Sequence, residues 1–143
     1  MTLQIRPLVF DDFPAWLPLW IDNNEGHNDQ NVTSQTWQRI IDKDEQVYGL
    51  GAFKDGEMIG ILHYILHPTT GHMASACYMQ DLFTKTEYRR SGTAKKLLLA
   101  LQKEHQKQKW ARIYWVADQK NVAAQKLYQS FGTKLDFSFH VLI

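Results

Sequence analysis

Apolar residues in this chain recur with two different periods, and the period changes in blocks. Leu3 and Ile5 open a short strand. Phe13, Trp16, Leu17 and Trp20 then fall at the spacing of one buried helical face, with Asp11 or Asp12 ahead as cap and Pro14 in the first turn. A polar stretch, 22–32, separates this helix from a second, opened by Thr33 or Ser34, whose Trp37, Ile40 and Ile41 face inward. Strand patterns follow over 47–53 and 58–66, and Asp55-Gly56 between them predicts a hairpin turn. A longer connection through Pro68 and Gly71 leads to a fourth strand at about 74–84. Helical spacing returns at Ala94, Leu97, Leu98 and Leu101, and again at Ala124, Leu127, Tyr128 and Phe131, with a short strand over 113–116 between the two. Asn121 suits the N-cap of that last helix and Gly132 its terminator. Phe137, Phe139 and Val141 alternate near the end, predicting one or two closing strands over 133–143. The predicted order is β-α-α-β-β-β-α-β-α-β.

One stretch changes the picture from fold to chemistry. Tyr88-Arg89-Arg90-Ser91-Gly92-Thr93-Ala94-Lys95 follows a strand and opens a helix. The first-turn N–H groups of a helix have no partner within it, and its dipole turns a positive end outward, so a strand, turn and helix N-terminus make an anion site. Gly92 lets the backbone approach a ligand, small Ala94 keeps the next approach open, and Arg89, Arg90, Lys95 and Lys96 add positive charge. The spacing is neither that of a P-loop nor that of a dinucleotide fingerprint.

Arg89-x-x-Gly92-x-Ala94 is similar to the Arg/Gln-x-x-Gly-x-Gly/Ala signature with which the GNAT family of N-acetyltransferases holds the coenzyme A pyrophosphate. Asn121-x-x-Ala124-x-x-Leu127-Tyr128-x-x-x-Gly132 resembles that family's second signature, in the expected order. The resemblance spans essentially the whole chain. It is closest to the histone/polyamine (spermidine/spermine-like) type through Tyr78 to Phe83, Tyr114-Trp115 and His67-Pro68-Thr69-Thr70. It implies a single domain over 1–143 with the α+β, three-layer GNAT fold. In that fold a mixed, mostly antiparallel sheet of six to seven strands is flanked by about four helices, and the first two helices form one wall of the acceptor cleft.

The resemblance further implies an acetyl-CoA-dependent N-acetyltransferase acting by direct attack in a ternary complex. Leu82, Phe83 and Thr84 would pair with the pantetheine arm and polarise the thioester. Residues Arg89, Arg90, Ser91, Gly92, Thr93, Ala94 and Lys95 would hold the pyrophosphate, and Asn121 and Ala124 would line the channel. Tyr128 would donate a proton to the departing sulfur, because a phenol with a pKa near ~10 is protonated at neutral pH. Polyamine-type relatives carry Glu-Asp where this chain has Gln80-Asp81, and an amide accepts no proton. Alternation turns Asp81 to the opposite strand face unless a bulge intervenes. The base is therefore Asp81, a more distant carboxylate working through water, or unnecessary if the amine binds neutral; Glu25, His27 and Asp118 are further candidates.

Charge adds a second constraint. Residues 1–60 hold ten acidic and four basic side chains, whereas 61–143 hold five and twelve. Phosphates on the basic side and a cationic amine on the acidic side fit this division, making a polyamine the first expected acceptor, with an aminoglycoside or lysine-bearing peptide as alternatives. A coenzyme A-binding module with little turnover is the competing class, kept open by Gln80. The acidic N-terminal part argues against nucleic acid despite the Lys95, Lys96, Lys103, Lys107 and Lys109 series. His63, His67 and His72 match no closed metal set, so no metal is expected. No apolar run is long enough to span a membrane, no leader is apparent, and the single Cys77 fits a reducing cytoplasm. The alternating apolar end also suits pairing with a second copy, and a homodimer is expected.

Overall fold

The computed structural model describes residues 2–143. Five strands lie in one sheet in sequence order: β1 (Leu3–Pro7), β2 (Val47–Lys54), β3 (Glu57–His67), β4 (Ala76–Thr84) and β5 (Ile113–Tyr114). Neighbours are antiparallel through β4, and β5 runs parallel to β4. The β2–β3 hairpin turns at Asp55-Gly56 with both residues at positive φ, 51° and 85°, the backbone whose twist matches that of paired strands. Four α-helices cover the sheet: α1 (Phe13–Asn23), α2 (Gln30–Ile41), α3 (Thr93–Gln108) and α4 (Val122–Gln129).

Strand alternation gives the sheet two apolar faces, each with its own core. On one face Trp16, Leu19, Trp20, Trp37 and Ile40 of α1 and α2 meet Phe53, Met58 and Ile61. On the other, Leu97, Leu98 and Leu101 of α3 meet Ile59, Leu62, Tyr64, Cys77 and Met79. Leu97 and Leu101 are almost wholly buried, each worth roughly 1.5–3 kcal/mol relative to exposure. Cys77 is fully buried and burial pushes its thiol up to about 12, so it is a packing residue. Gly60 brings α3 close to the sheet: a Cβ there would lie 3.0 Å from the Thr93 methyl. The start of α3 is thereby seated directly on β3.

Several expected boundaries move for physical reasons. Helix α2 starts at Gln30 because Asp29 caps it, its carboxylate accepting from the Asn31 and Val32 N–H groups at 3.0 and 3.2 Å. Thr33 lies inside the helix, its hydroxyl accepting from the Trp20 indole at 3.0 Å and donating to Asn28 Oδ1 at 2.7 Å. Asp12 sits at the N-cap of α1 but bonds no α1 amide. Its carboxylate takes the Arg6 guanidinium at 2.7 and 3.0 Å and the Val9 N–H at 2.7 Å, tying β1 to the start of α1.

The closing strands are absent. Residues 133–143 form no strand and are exposed, and the sheet has five strands rather than six or seven. Phe137 is 84% exposed and Leu142 fully so. The alternation says which side chains a strand would bury, but a strand also needs an edge. The adjoining edge strand, β5, is two residues long and ends at Tyr114, two short of the expected Val116.

The Asp12 contact carries a pH-dependent prediction. Hydrogen bonding from Arg6 holds the Asp12 carboxyl below its ordinary value, burial opposes this, and the Val9 N–H adds to the lowering. A carboxyl depressed in the folded state stabilises above its unfolded pKa, and that stabilisation is lost as pH falls through the folded value. Asp12→Asn should cost about 1–3 kcal/mol in urea unfolding at pH 7. The difference from wild type should close as pH drops below 3.8; a difference constant with pH contradicts the ion-pair account.

Candidate active site

The site begins with a single extra residue in β4. Cys77 and Met79 point into the α3-side core, and simple alternation would send Asp81 after them. The β3–β4 register instead steps from His63 opposite Asp81 to Tyr64 opposite Met79, leaving Gln80 as a bulge. Beyond it the faces exchange. Leu82 rejoins the α3-side core, while Asp81 and Phe83 turn to the α1/α2 side.

There Asp81 meets a chain of donors. Trp16 Nε1 donates to His63 Nε2 at 3.0 Å, in a buried pair. An indole can only donate, so His63 carries its proton on Nδ1, which gives it to Asp81 Oδ2 at 3.0 Å. Asn23 Nδ2 donates to the other oxygen at 3.1 Å. The imidazole is thus fixed as one neutral tautomer, and the carboxylate is an acceptor at both oxygens. Asp81 keeps 19% of its side chain exposed, so it remains reachable.

The exposed part opens into a cavity of about 150 Å³. Its lining includes Trp20 and His63, Thr36 and Arg39 of α2, and Gln80 and Asp81 of β4. A larger cleft of about 660 Å³ lies between the start of α1 and α2, lined by Phe13, Leu17 and Trp37 among others. It holds none of the residues with candidate chemistry, and size alone does not make it the site.

Tyr128 lies on the opposite face of the sheet. Its half-buried ring packs against the α3-side core, with its centroid 5.3 Å from that of Trp115. Burial pushes the phenol up from its ordinary value, so it is protonated at neutral pH and able to donate. Strand β4 itself has a free edge. β5 pairs only with Cys77 and Tyr78, which leaves the rest of β4 unpaired on that side. The Lys85 N–H turns to Ile59 on β3, so alternation aims the main-chain groups of Leu82 and Thr84 at the gap and those of Phe83 at β3. Thr84 Oγ1 is buried there without a partner.

At the end of that edge lies the anion cradle. A single turn (Thr86–Tyr88) is tied down by Tyr88 and Lys85 to Glu57, at 3.2 and 3.1 Å. Arg89 Nε donates to Thr84 O at 3.2 Å. Arg90 and Gly92 take positive φ, 64° and 85°, and the chain enters α3. The N–H groups of residues 90–95 donate to no acceptor among the described residues. Helices α2 and α4 are capped by Asp29 and Asn121 side chains, whereas α3 has glycine at that position and no side-chain cap. A run of free donors at a helix N-terminus, with Arg90, Lys95 and Lys96 exposed around it, fits a polyphosphate. The unpartnered Thr84 hydroxyl and the free β4 edge fit an extended amide chain beside it.

The expected residues therefore fall into three groups: Asp81 in the small cavity, Leu82 and Thr84 along the gap, and Arg89 to Lys95 in the cradle; the main chain of Phe83, expected at the gap, faces β3 instead. Asn121 uses its carbonyl to cap α4 through the Ala124 N–H at 3.1 Å, leaving its amide donors free. Glu25, His27 and Asp118 line no part of the cavity at Asp81. The histidines go separate ways: His63 is buried on Asp81, His67 Nε2 lies 2.7 Å from the Tyr114 hydroxyl, and His72 is exposed. No group of metal ligands assembles among the described residues. Sequence patterns missed Trp16, His63, Asn23 and Arg39, whose roles depend on which strands and helices meet.

Comparison with known proteins supplies the family and the fold. Residues 5–133 match the Acetyltransferase (GNAT) family. The D-amino-acid N-acetyltransferase HPA3 of Saccharomyces cerevisiae is 31% identical over 139 residues, spanning 94% of this chain and 86% of its own. Among solved structures, the ribosomal-protein-alanine N-acetyltransferase of Brucella melitensis biovar Abortus 2308 superposes with a TM-score of 0.85 at 21% identity, covering 100% and 99% of the two chains. AAC(6')-Iy in complex with the bisubstrate analog CoA-S-monomethyl-acetylneamine gives 0.86 at 19% identity, covering 100% and 98%.

The cradle can be tested apart from catalysis. Gly92 has open space where a Cβ would stand, so Gly92→Ala acts through the backbone alone. A left-handed conformation costs a non-glycine residue roughly 1–2 kcal/mol, and relief of that strain should spread the N–H groups. Coenzyme A affinity by titration calorimetry should fall about tenfold; unchanged affinity would remove this turn from the binding site.

Proposed function

The chain belongs to the GNAT acetyltransferase family, and from that premise we propose that it transfers an acetyl group from acetyl-CoA to the primary amine of a free amino acid. The observation that carries this reading is the placement of Asp81 and Tyr128 on opposite faces of the sheet, together with the free edge of β4. The amino-acid acceptor is supported by the similarity to HPA3. It is also supported by the size of the cavity at Asp81, about 150 Å³, below the ~300–1,000 Å³ of drug-sized sites.

Acetyl-CoA, when bound, supplies an activated thioester. The residues of the chain do the rest. Asp81, held by His63 and Asn23, accepts a proton from the bound ammonium and frees the nitrogen lone pair. Main-chain N–H groups of Leu82 and Thr84 line the gap as donors for a carbonyl oxygen that gains charge as the C–N bond forms. Tyr128 gives its proton to the sulfur as the C–S bond breaks and recovers one from the amide nitrogen. Gln80 at the bulge does not leave the site without a base, because the same bulge brings Asp81 round. The cradle and β4 edge fix the donor, the cavity fixes the acceptor, and positioning supplies much of the rate.

A polyamine acceptor is the second reading, favoured by the ten acidic side chains among residues 1–60. An aminoglycoside is bulkier than the cavity at Asp81, about 150 Å³, whereas a peptide lysine presents only an unbranched side chain and is a third reading. We assign the reaction to a reducing compartment, the cytoplasm, in keeping with the buried Cys77. No helix among the described residues is long and apolar enough to cross a membrane. We also propose a homodimer, in which the exposed apolar tail with Phe137, Phe139 and Val141 is covered by a second copy.

Thiol release from acetyl-CoA against amino acids, polyamines, aminoglycosides and basic peptides tests the reaction and its acceptor together. Tyr128→Phe should lower kcat by ~10²–10⁴ while leaving coenzyme A affinity unchanged. Because its phenol is raised above the ordinary value, wild-type turnover should hold through neutral pH without loss of the acid until strongly alkaline conditions. Full activity in Tyr128→Phe would remove this residue as the acid.

A further inference from the structure

We infer that Arg39 is the carboxylate-binding residue of the acceptor cavity, so that the site selects zwitterionic amino acids over amines lacking a carboxylate. This rests on the acetyl-transfer reading above and assigns it a specificity residue. Arg39 lies on α2 between Trp37 and Ile40, both buried in the α1/α2-side core. Those two anchors set the helix rotation and place Arg39 at its solvent margin, on the cavity wall with Thr36 one turn earlier. Ion pairs among the described residues join Arg6 to Asp12 and Lys85 to Glu57, and His63 bonds Asp81 as a neutral donor. Arg39 takes part in none of them, and no hydrogen bond engages its guanidinium. A free, permanently charged fork on the wall of a small cavity is matched to a carboxylate, which it can hold through two parallel N–H···O bonds.

The same cavity is lined by Asp81 and Gln80. One cavity thus brings together a permanent cation, a carboxylate and an apolar strip of Trp20, Val47 and Ile65. An α-amino acid has the complementary layout, with its ammonium towards Asp81, its carboxylate towards Arg39 and its side chain against the apolar strip. A polyamine has no group for Arg39 and meets like charge there. This local arrangement outweighs the acidic excess of the N-terminal part, because charges in contact with the acceptor lie well within a Debye length of ~8–10 Å, whereas most of those spread over the surface lie beyond it.

The test compares D-alanine and L-alanine with D-alaninamide and L-alaninamide, which keep the amine and lose the carboxylate, in wild type, Arg39→Gln and Arg39→Lys. Wild type should use the better alanine enantiomer with a kcat/KM on the order of 10²-fold above its amide; a site built around a polar group rejects analogues lacking it, less strongly where the site is solvent-exposed. Arg39→Gln should remove most of that preference, raising KM for the alanine and, by relief of like charge, holding or improving kcat/KM for the amide, and Arg39→Lys should restore part of it. Equilibrium binding of both alanines, followed by tryptophan fluorescence through Trp20, supplies a readout independent of turnover. If an alanine is acetylated but Arg39→Gln leaves its preference over the amide intact, the Arg39 assignment falls and the acceptor reading stands. If polyamines are acetylated and neither alanine binds or reacts, both fall. If the alanines bind in an Arg39-dependent way without thiol release, the assignment holds and the proposed reaction fails.

Discussion

One extra residue in β4 governs the layout of this protein. A strand alternates faces without exception until a bulge breaks the count, and here the bulge at Gln80 breaks it one residue before the only carboxylate in the strand. Without that break, Asp81 would be driven into the apolar core beneath α3, among Cys77, Met79 and Leu97. An unpaired carboxylate in such surroundings is strongly disfavoured. With it, the same side chain emerges on the other face, where His63, Asn23 and a small cavity receive it.

The packing of both faces follows from that exchange. On the α1/α2 side, three tryptophans make a rigid wall, with Trp16 and Trp20 rings stacked at 5.4 Å and Trp16 and Trp37 at 4.8 Å. Rigid rings would leave costly buried N–H groups unless each found an acceptor. Trp16 finds His63 and Trp20 finds Thr33, so the aromatic core and the polar site share the same bonds. On the α3 side, Gly60 seats the helix start against β3, and the free donors of residues 90–95 end up beside the open edge of β4. Core and candidate site are built by the same contacts, one face carrying Asp81 and its cavity and the other Tyr128 and the free donors.

Much of this was legible in the chain, and the limits have physical causes. The cradle and α4 are local: strand, turn and helix signals lie within a dozen residues, so Arg89 to Lys95 and Asn121 to Tyr128 were readable directly. The Asp55-Gly56 hairpin was readable for the same reason, although the β2–β3 register shifts by one residue between Ala52 and Phe53. The β3–β4 connection, 68–75, is no tight turn, so nothing local pairs His63 with Asp81 or reveals that Gln80 bulges. Arg39 is one exposed helical arginine until the sheet brings Asp81 to the same cavity. The start of α2 was expected at Thr33 or Ser34, but Asp29 caps it, and the Trp20 bond that holds the Thr33 hydroxyl is a tertiary contact that no local signal shows. The tail misled most: its alternation at Phe137, Phe139 and Val141 is genuine, yet a two-residue β5 offers it almost no ladder.

The account turns on Asp81 being the group that takes the proton. Asp81→Asn keeps size and an oxygen for the His63 N–H but cannot act as a base. Stopped-flow thiol release with a saturating acceptor should fall by ~10²–10⁴ at neutral pH, recovering partly at alkaline pH as the amine loses its proton unaided, with coenzyme A affinity unchanged. Turnover equal to wild type at neutral pH would contradict the account and leave the bulge as a feature of folding alone.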